Sequence, residues 1–233
     1  MALPKLNTQT FELNIPSTDE KIKYRPFLVK EEKILLQAQE GDQAEMFDAI
    51  TDVVNACTFN KIDISKMPSF DVEYLFLRIR AKSVGEEVNL NLSFPGDEKV
   101  KVPAKVNLMD VEVEVDDNHT NKIQLTDNIS VVMAYPTMKI LAKVNMQDLK
   151  AQDAVTLIAS CIHQIIEGVE TLEARDFKTA ELNEFVDNMT QTQFAKVNEF
   201  FTSMPKLKHE VKLTHPKTKK KGKVIIEGLQ SFF

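Results

Sequence analysis

Residues 68–85 read PSFDVEYLFLRIRAKSVG, and this stretch decides the architecture of the first part of the chain. Pro68 and Ser69 are typical of a helix start, with Ser69 as the expected N-cap, and Gly85 is typical of a helix end. Between them, apolar side chains recur on almost every side of the helical path. A helix of this kind is buried either in the core of its own domain or in an interface. The sequence therefore predicts a buried helix over residues 70–82 and leaves both kinds of burial open.

On the N-terminal side, alternating apolar and polar residues predict a hairpin over residues 9–26, and helical spacing predicts helices near 30–40 and 43–57. On the C-terminal side, the apolar period changes from that of a helix to two. We expect a central antiparallel β-meander of four or five strands here, ending near residue 135.

The remainder of the chain alternates between helix and strand signals. Apolar spacing predicts helices near 137–144 and 148–166, and residues 168–178 are expected to be irregular or a short strand pair. Two further helices follow, the second opened by a capping box from Thr190 to Gln193. The tail then alternates as a β-hairpin. Because helices and strands occur in blocks, the pattern favours an α+β fold over a doubly wound sheet.

The 233 residues suffice for one or two compact domains with a substantial core. The expected segments are an N-terminal hairpin with helices, the central meander, a helical region and the C-terminal β-hairpin. Their predicted bounds are 1–85, 86–135, 136–204 and 205–233.

Composition restricts the function. The chain has 35 Asp and Glu against 29 Lys and Arg, a net charge of −6, which disfavours nucleic acid as a partner. No apolar stretch is long enough for a transmembrane segment, and the N-terminus lacks the pattern of a signal peptide. Cys57 and Cys161 lie within apolar patterns; a long-range disulfide is one interpretation, and two buried thiols in a reducing cytoplasm is the favoured one.

Residues for chemistry are sparse. The four histidines form no metal-binding or catalytic motif, and six glycines leave no phosphate-binding loop. His209 and His215 are six positions apart, which is compatible with a metal only if two further ligands were nearby. Glu31 and Glu32 are adjacent on a helix and do not face each other. We therefore predict no catalytic, metal-binding or cofactor-binding residue, no small-molecule substrate and no enzymatic activity.

Charged and apolar surface features remain as candidates for binding. A run of lysines over 217–223 is either a solvated hairpin tip or a contact for an acidic partner or nucleic acid. Acidic residues over 110–117 form either a solvated strand face or a site for a cation or a basic neighbour. The terminal phenylalanines either pack beneath the hairpin or anchor a partner. The predicted partner-binding residues are Tyr74, Arg78, Arg80, Lys219, Lys220, Lys221, Phe232 and Phe233.

Three segments together resemble one family. Residues 23–33 (KYRPFLVKEEK), residues 70–86 (FDVEYLFLRIRAKSVGE) and residues 227–233 (EGLQSFF) are similar to the opening, central and closing segments of the T4-like phage baseplate hub proteins. The resemblance covers essentially the whole chain. Some members carry cysteine pairs suggestive of zinc ribbons, whereas residues 92–96 and 214–217 here have no cysteine.

The resemblance implies a role in a contractile phage tail, with late expression. The chain would be a hub component or a hub assembly chaperone, would bind other baseplate hub proteins, and would act in the host cell cytoplasm during assembly, with the virion baseplate as a further location. Homo- and hetero-oligomers both stay open. The alternatives are a cell-wall hydrolase and a hub accessory that contacts nucleic acid or membrane. The resemblance supplies no catalytic residues.

Overall fold

The computed structural model of the protein describes residues 6–144 and 150–232. Contacts divide the chain into two compact units, unit 1 (Met1–Glu114 with Lys206–Phe233) and unit 2 (Val115–Pro205). Helices and small antiparallel sheets occur together in the mixed α+β class, which confirms the predicted fold class.

The α-helices of the described residues are α1 (Val29–Ala38), α2 (Gln43–Cys57), α3 (Ser69–Ser83), α4 (Met138–Leu141), α5 (Ala151–Cys161), α6 (Thr179–Asp187) and α7 (Gln191–Ser203). Their β-strands are β1 (Phe11–Asn14), β2 (Lys21–Tyr24), β3 (Glu87–Phe94), β4 (Asp97–Asn107), β5 (Glu112–Glu114), β6 (Lys122–Gln124), β7 (Ile129–Met133), β8 (Ile162–Glu167), β9 (Glu170–Glu173), β10 (Lys206–Thr214) and β11 (Lys221–Glu227). Short 3₁₀ turns include Leu108–Asp110 and Leu229–Phe232.

Helix α3 forms the core of unit 1. It contacts α2, β5, β10 and the two 3₁₀ turns, all of which lie in the same unit. Ten of its fifteen residues are buried, among them Leu75, Leu77 and Ile79. Of the two kinds of burial that the sequence left open, the structure shows the core of the helix's own unit.

The start of α3 differs in one detail from the prediction. Pro68 rather than Ser69 occupies the N-cap position, and no side chain caps the helix. Ser69 is buried in the first turn, where the extended backbone of Pro68 leads the chain into the helix. The carboxylate of Asp71, also buried, accepts hydrogen bonds from the backbone N–H and the hydroxyl of Ser17. These bonds hold the loop after β1 against the helix.

The strands of unit 1 form three antiparallel sheets. Strand β1 pairs with β2, β3 pairs with β4, and β10 lies between β11 and β5. The N-terminal and C-terminal hairpins are therefore confirmed. The C-terminal hairpin packs within unit 1, against α3, since β10 contacts that helix.

The five central strands are present, but they do not pair as one sheet. Strands β3 and β4 form their own hairpin, β5 joins β10, and β6 and β7 belong to the sheet of unit 2. The reason is that alternation specifies which face of a strand is apolar and leaves its neighbour unspecified.

Unit 2 contains a four-stranded antiparallel sheet in the order β6-β7-β8-β9, together with α4 to α7. The predicted helix over 148–166 is wrong at its C-terminal end, because α5 ends at Cys161 and β8 begins at Ile162. Residues 148 and 149 lie outside the described residues. Ile165 pairs with both Val131 of β7 and Leu172 of β9, and β-branched side chains of this kind favour a strand once neighbours are available. The capping box from Thr190 to Gln193 at the start of α7 is confirmed.

Candidate partner-binding surfaces

Arg78, one of the predicted residues, is bonded to several groups at once. Its side chain is 5% exposed, and its guanidinium donates to the carbonyls of Leu108 at 2.9 Å and Val111 at 2.8 Å. It also donates to Glu112 Oε1 at 2.7 Å, and it lies over the ring of Tyr74 with 4.6 Å between Cζ and the ring centroid. The planar fork of arginine suits this simultaneous contact with several acceptors. Arg78 thereby fastens the connection between β4 and β5 to α3.

The other two predicted residues of α3 are half-buried. The hydroxyl of Tyr74 accepts a hydrogen bond from Arg78 at 3.2 Å. Burial lowers the pKa of Arg80. The acidic residues over 110–117 also contact basic neighbours: Glu112 is paired with Arg78, and Glu114 is 3.9 Å from Lys208. That α3 binds a partner through Tyr74, Arg78 or Arg80 stays a prediction.

The opening segment of the family resemblance contains a buried ion pair. Arg25 Nη2 lies 2.8 Å from Glu31 Oε1, with the side chains 11% and 3% exposed. The backbone N–H of Leu28 donates to the same carboxylate at 2.7 Å, at the start of α1. Burial tends to raise the pKa of Glu31, but the hydrogen bonds from Arg25 and Leu28 outweigh burial and hold it below its usual value. Glu31 therefore stabilises the fold of unit 1.

The lysines of the C-terminal hairpin form an exposed tip. We call Lys217, Lys219, Lys220 and Lys221 the lysine tip; all four are exposed, and their side chains form no ion pair with any described residue. Clustered ammonium groups repel one another, so an acidic surface that neutralised them would be favoured.

His215 fixes the backbone of this tip. Its Nδ1 accepts hydrogen bonds from the backbone N–H groups of Lys217 at 3.2 Å and Thr218 at 3.1 Å, and the ring is buried edge-on against Phe94. Its Nε2 lies 3.6 Å from Asp97 Oδ2. His215 therefore organises the turn from which the lysines project.

Among the described residues, no metal centre accompanies this histidine. Within residues 6–144 and 150–232, no group of three or more His, Cys, Asp and Glu side chains is placed to hold a metal ion. Cys57 and Cys161 are free and buried, and burial raises their thiol pKa values to about 11 and about 12. Both thiols are thus protonated at neutral pH and poor nucleophiles.

The chain end docks on unit 1. Phe232 is fully buried in the turn Leu229–Phe232, which contacts α3 and β11, so it adopts the first of the two predicted alternatives and packs within its own unit. Phe233 lies outside the described residues. The backbone N–H of Leu229 donates to Glu73 Oε2 at 3.1 Å, which links the chain end to α3.

The burial of Glu73 at this position predicts an unusual dependence of stability on pH. Burial raises the pKa of Glu73 to about 7, opposed by the hydrogen bond from Leu229. Between the unfolded and folded pKa values the native state binds more protons, so the free energy of unfolding falls as pH rises through this range. We expect Glu73→Gln to stabilise the protein by about 2–3 kcal/mol at about pH 8 and to have little effect at about pH 5.

Denaturant unfolding of both proteins at the two pH values checks this expectation. Glu98→Gln, at an exposed position, is the control and should leave the free energy of unfolding unchanged at both pH values. A Glu73→Gln protein that is less stable than the unmodified chain at the higher pH would contradict the assignment.

His119 packs among aromatic side chains of unit 2. Its ring is half-buried and stacks on Tyr135 with 5.6 Å between centroids, while Phe200 lies 5.1 Å away on the same measure. Nδ1 is 3.0 Å from Ser203 Oγ, and burial lowers the pKa of the imidazole, opposed by Asp116. The residue therefore belongs to an aromatic cluster of unit 2 with Tyr135 and Phe200.

Unit 2 also has a groove that sequence reasoning missed. Its floor is one face of β7, β8 and β9, carrying Ile129, Ile165 and Leu172, and its wall is α6 with Leu182 and Phe185. The cavity volume is about 430 Å³, within the range of ligand-binding clefts. No sequence signal marks the groove, because its residues come from separate elements.

The two units differ in charge. Unit 2 has 13 Asp and Glu against seven Lys and Arg, a net charge of −6, whereas unit 1 has 22 of each. The entire excess negative charge of the chain therefore lies in the unit that contains the groove. None of the helices in the described parts of the chain is both long and apolar enough to cross a membrane.

These surfaces, a basic hairpin tip and an apolar groove in an acidic unit, are of the kind through which proteins contact other proteins. Comparison with known families agrees with this class: residues 7–233 match the family described as T4 bacteriophage base plate protein. The chain belongs to this family and is a phage baseplate protein, as the sequence resemblance predicted. Neither the comparison with curated proteins nor that with solved structures found a match.

Proposed function

We propose that this baseplate protein is a component or an assembly chaperone of the baseplate hub and acts by binding other hub proteins. The observation that carries the proposal is the lysine tip, whose cations pair with no described residue and project from a turn that His215 holds in place. A fixed turn loses little backbone conformational entropy on binding, so the positions from which the lysines project are set before an acidic partner arrives.

The same proposal makes the protein non-enzymatic. Glu31 is neutralised by Arg25, and the two thiols are held in their protonated form by burial. The remaining exposed features suit association rather than bond making or breaking. Binding of the lysine tip to an acidic surface of a hub protein would give affinity that decreases with salt.

The two forms of the proposed role, structural subunit and assembly chaperone, differ in the final location of the protein. A structural subunit assembles in the host cytoplasm and stays in the virion baseplate, whereas a chaperone leaves after the hub is built. Stable incorporation requires a large apolar interface, and transient action a smaller polar one. Mass spectrometry of purified virions separates the two, because only the subunit is retained.

The test of the proposal is co-expression with candidate hub proteins, followed by size-exclusion chromatography with light scattering. We expect a complex that the triple variant Lys219→Glu/Lys220→Glu/Lys221→Glu weakens by about tenfold or more, since like charges then face each other. The matched control is Lys61→Glu/Lys139→Glu/Lys143→Glu, at exposed positions outside the tip. Absence of any complex would refute the proposed function, and equal binding by both variants would remove the lysine tip from it.

A further inference from the structure

The groove of unit 2 has a rim that complements its apolar floor. Phe177 extends the apolar lining and is itself 38% exposed, so part of this lining faces solvent. Glu167, Glu181 and Glu184 add three carboxylates to the lining, and none of them forms an ion pair with a described residue. The groove thus combines an apolar floor with unneutralised negative charge.

One of these carboxylates forms a hydrogen bond within the described residues, and the other two do not. Glu181 accepts the backbone N–H of Lys178 at 2.7 Å and so caps the first turn of α6. Glu167 lies on β8, a strand of the floor, and Glu184 lies on α6, the helix of the wall, and both are exposed. Cations on an occupant would therefore meet one carboxylate from the floor strand and one from the wall helix, in a unit that already carries the net negative charge of the chain.

We propose that this groove binds a segment of a partner protein in which large apolar side chains are flanked by Lys or Arg. The apolar side chains would fill the cavity over Ile165 and Leu172, and the flanking cations would pair with Glu167 and Glu184. An extended segment meets this requirement, because every second side chain faces the groove floor. The long Lys or Arg side chains between them point away from the floor and can bend to the exposed carboxylates at its edge. The inference rests on the proposed function for its choice of a protein partner, and it names a second surface of opposite chemistry to the lysine tip.

The charge complementarity excludes an acidic occupant. An acidic segment would place like charges in contact across a partly desolvated groove, which costs binding energy. A purely polar basic segment would leave the apolar floor exposed to water. Both the cations and the apolar side chains are therefore required.

The experiment uses the full chain and a short synthetic peptide in which Lys alternates with Leu and Phe. Isothermal titration calorimetry measures affinity, and hydrogen exchange locates the protected residues. We expect binding with protection of β9 and α6, and a loss of affinity of about tenfold or more in Glu167→Lys/Glu184→Lys. The charge-matched control, Asp117→Lys/Glu199→Lys, alters exposed acids of the same unit outside the groove lining and should bind within about twofold of the unmodified chain.

Further variants separate the two requirements. Glu167→Gln/Glu184→Gln removes the charge without reversing it and should weaken binding less than the lysine pair. Phe177→Ser should weaken binding, whereas Phe59→Ser, at an equally exposed phenylalanine of unit 1, should not. Thermal melts of every variant identify any that fail to fold.

Several results would overturn the inference. They are absence of binding by the unmodified chain, equal binding of a peptide with Glu in place of Lys, and protection outside the groove. Equal affinity in the rim and control variants would overturn it as well. If the peptide does not bind but the hub complex forms and depends on the lysine tip, only the inference about the groove is refuted. If the peptide binds but no hub complex forms, only the proposed function is refuted.

Discussion

Replacing Arg78 by methionine is expected to lower the free energy of unfolding of unit 1 by about 3–5 kcal/mol. The carbonyls of Leu108 and Val111 lose their donor, and a buried acceptor without a partner costs about 1–3 kcal/mol. Methionine fills similar space, so most of the loss comes from the missing hydrogen bonds rather than from a cavity. Arg78→Lys keeps the charge but loses the planar fork, and we expect it to recover only part of the stability.

Hydrogen exchange measured by mass spectrometry checks this result in a protein with two units. Protection should fall in α3 and in the turn Leu108–Asp110, while the peptides of unit 2 serve as an internal reference. Arg175→Met, at an exposed arginine of unit 2, is the matched control and should cost almost nothing. Unchanged protection of α3 in the Arg78→Met protein would show that the network carries no stability.

Breaking the Arg25–Glu31 pair is expected to have an effect of similar size. Glu31→Gln leaves the buried guanidinium of Arg25 without its counter-ion, and removal of one partner of a buried pair costs about 3–5 kcal/mol. The double variant Arg25→Met/Glu31→Leu removes both charges, so it should be much less destabilised than the sum of the two single variants. Because Glu31 has a lowered pKa, the contribution of the pair should be present above the usual pKa of a glutamate and be lost as pH falls through the folded-state value.

Denaturant unfolding of the single and double variants gives the coupling free energy of this pair. Glu32→Gln, at the adjacent exposed position of α1, should change stability little. Strict additivity of the two single effects would mean that the ion pair is not coupled in the folded protein.

Some features of the fold could be read directly from local pattern. The apolar surround of residues 70–82 required burial of this helix, and the alternation in residues 9–26 and 207–226 required hairpins. Thr190 and Gln193 marked the start of α7 because capping depends on side chains a few residues apart. The resemblance of the segments over 23–33, 70–86 and 227–233 also indicated the family, and the family match over residues 7–233 agrees with it.

Other features depended on contacts that no local pattern contains. Ile162 to Glu167 carries apolar residues at helical spacing, yet forms a strand because β7 and β9 offer partners on both sides. Glu112 and Lys208 became neighbours only through the pairing of β5 with β10. The groove draws its lining from β7, β8, β9 and α6, so its apolar floor and its acidic rim could not be recognised from spacing.

The sequence by itself therefore determined the N-terminal and C-terminal hairpins, most of the helices, that α3 must be buried, and that the chain belongs to the baseplate family. These conclusions need only periodicity, capping and similarity, which act over neighbouring residues. Only the tertiary structure decided that Arg78 supports the core and that the lysine tip is exposed without ion pairs to described residues. It also decided that the net negative charge of the chain and the groove both lie in unit 2. Those outcomes depend on burial and on electrostatics between residues distant in the chain, and both are set only when the elements pack.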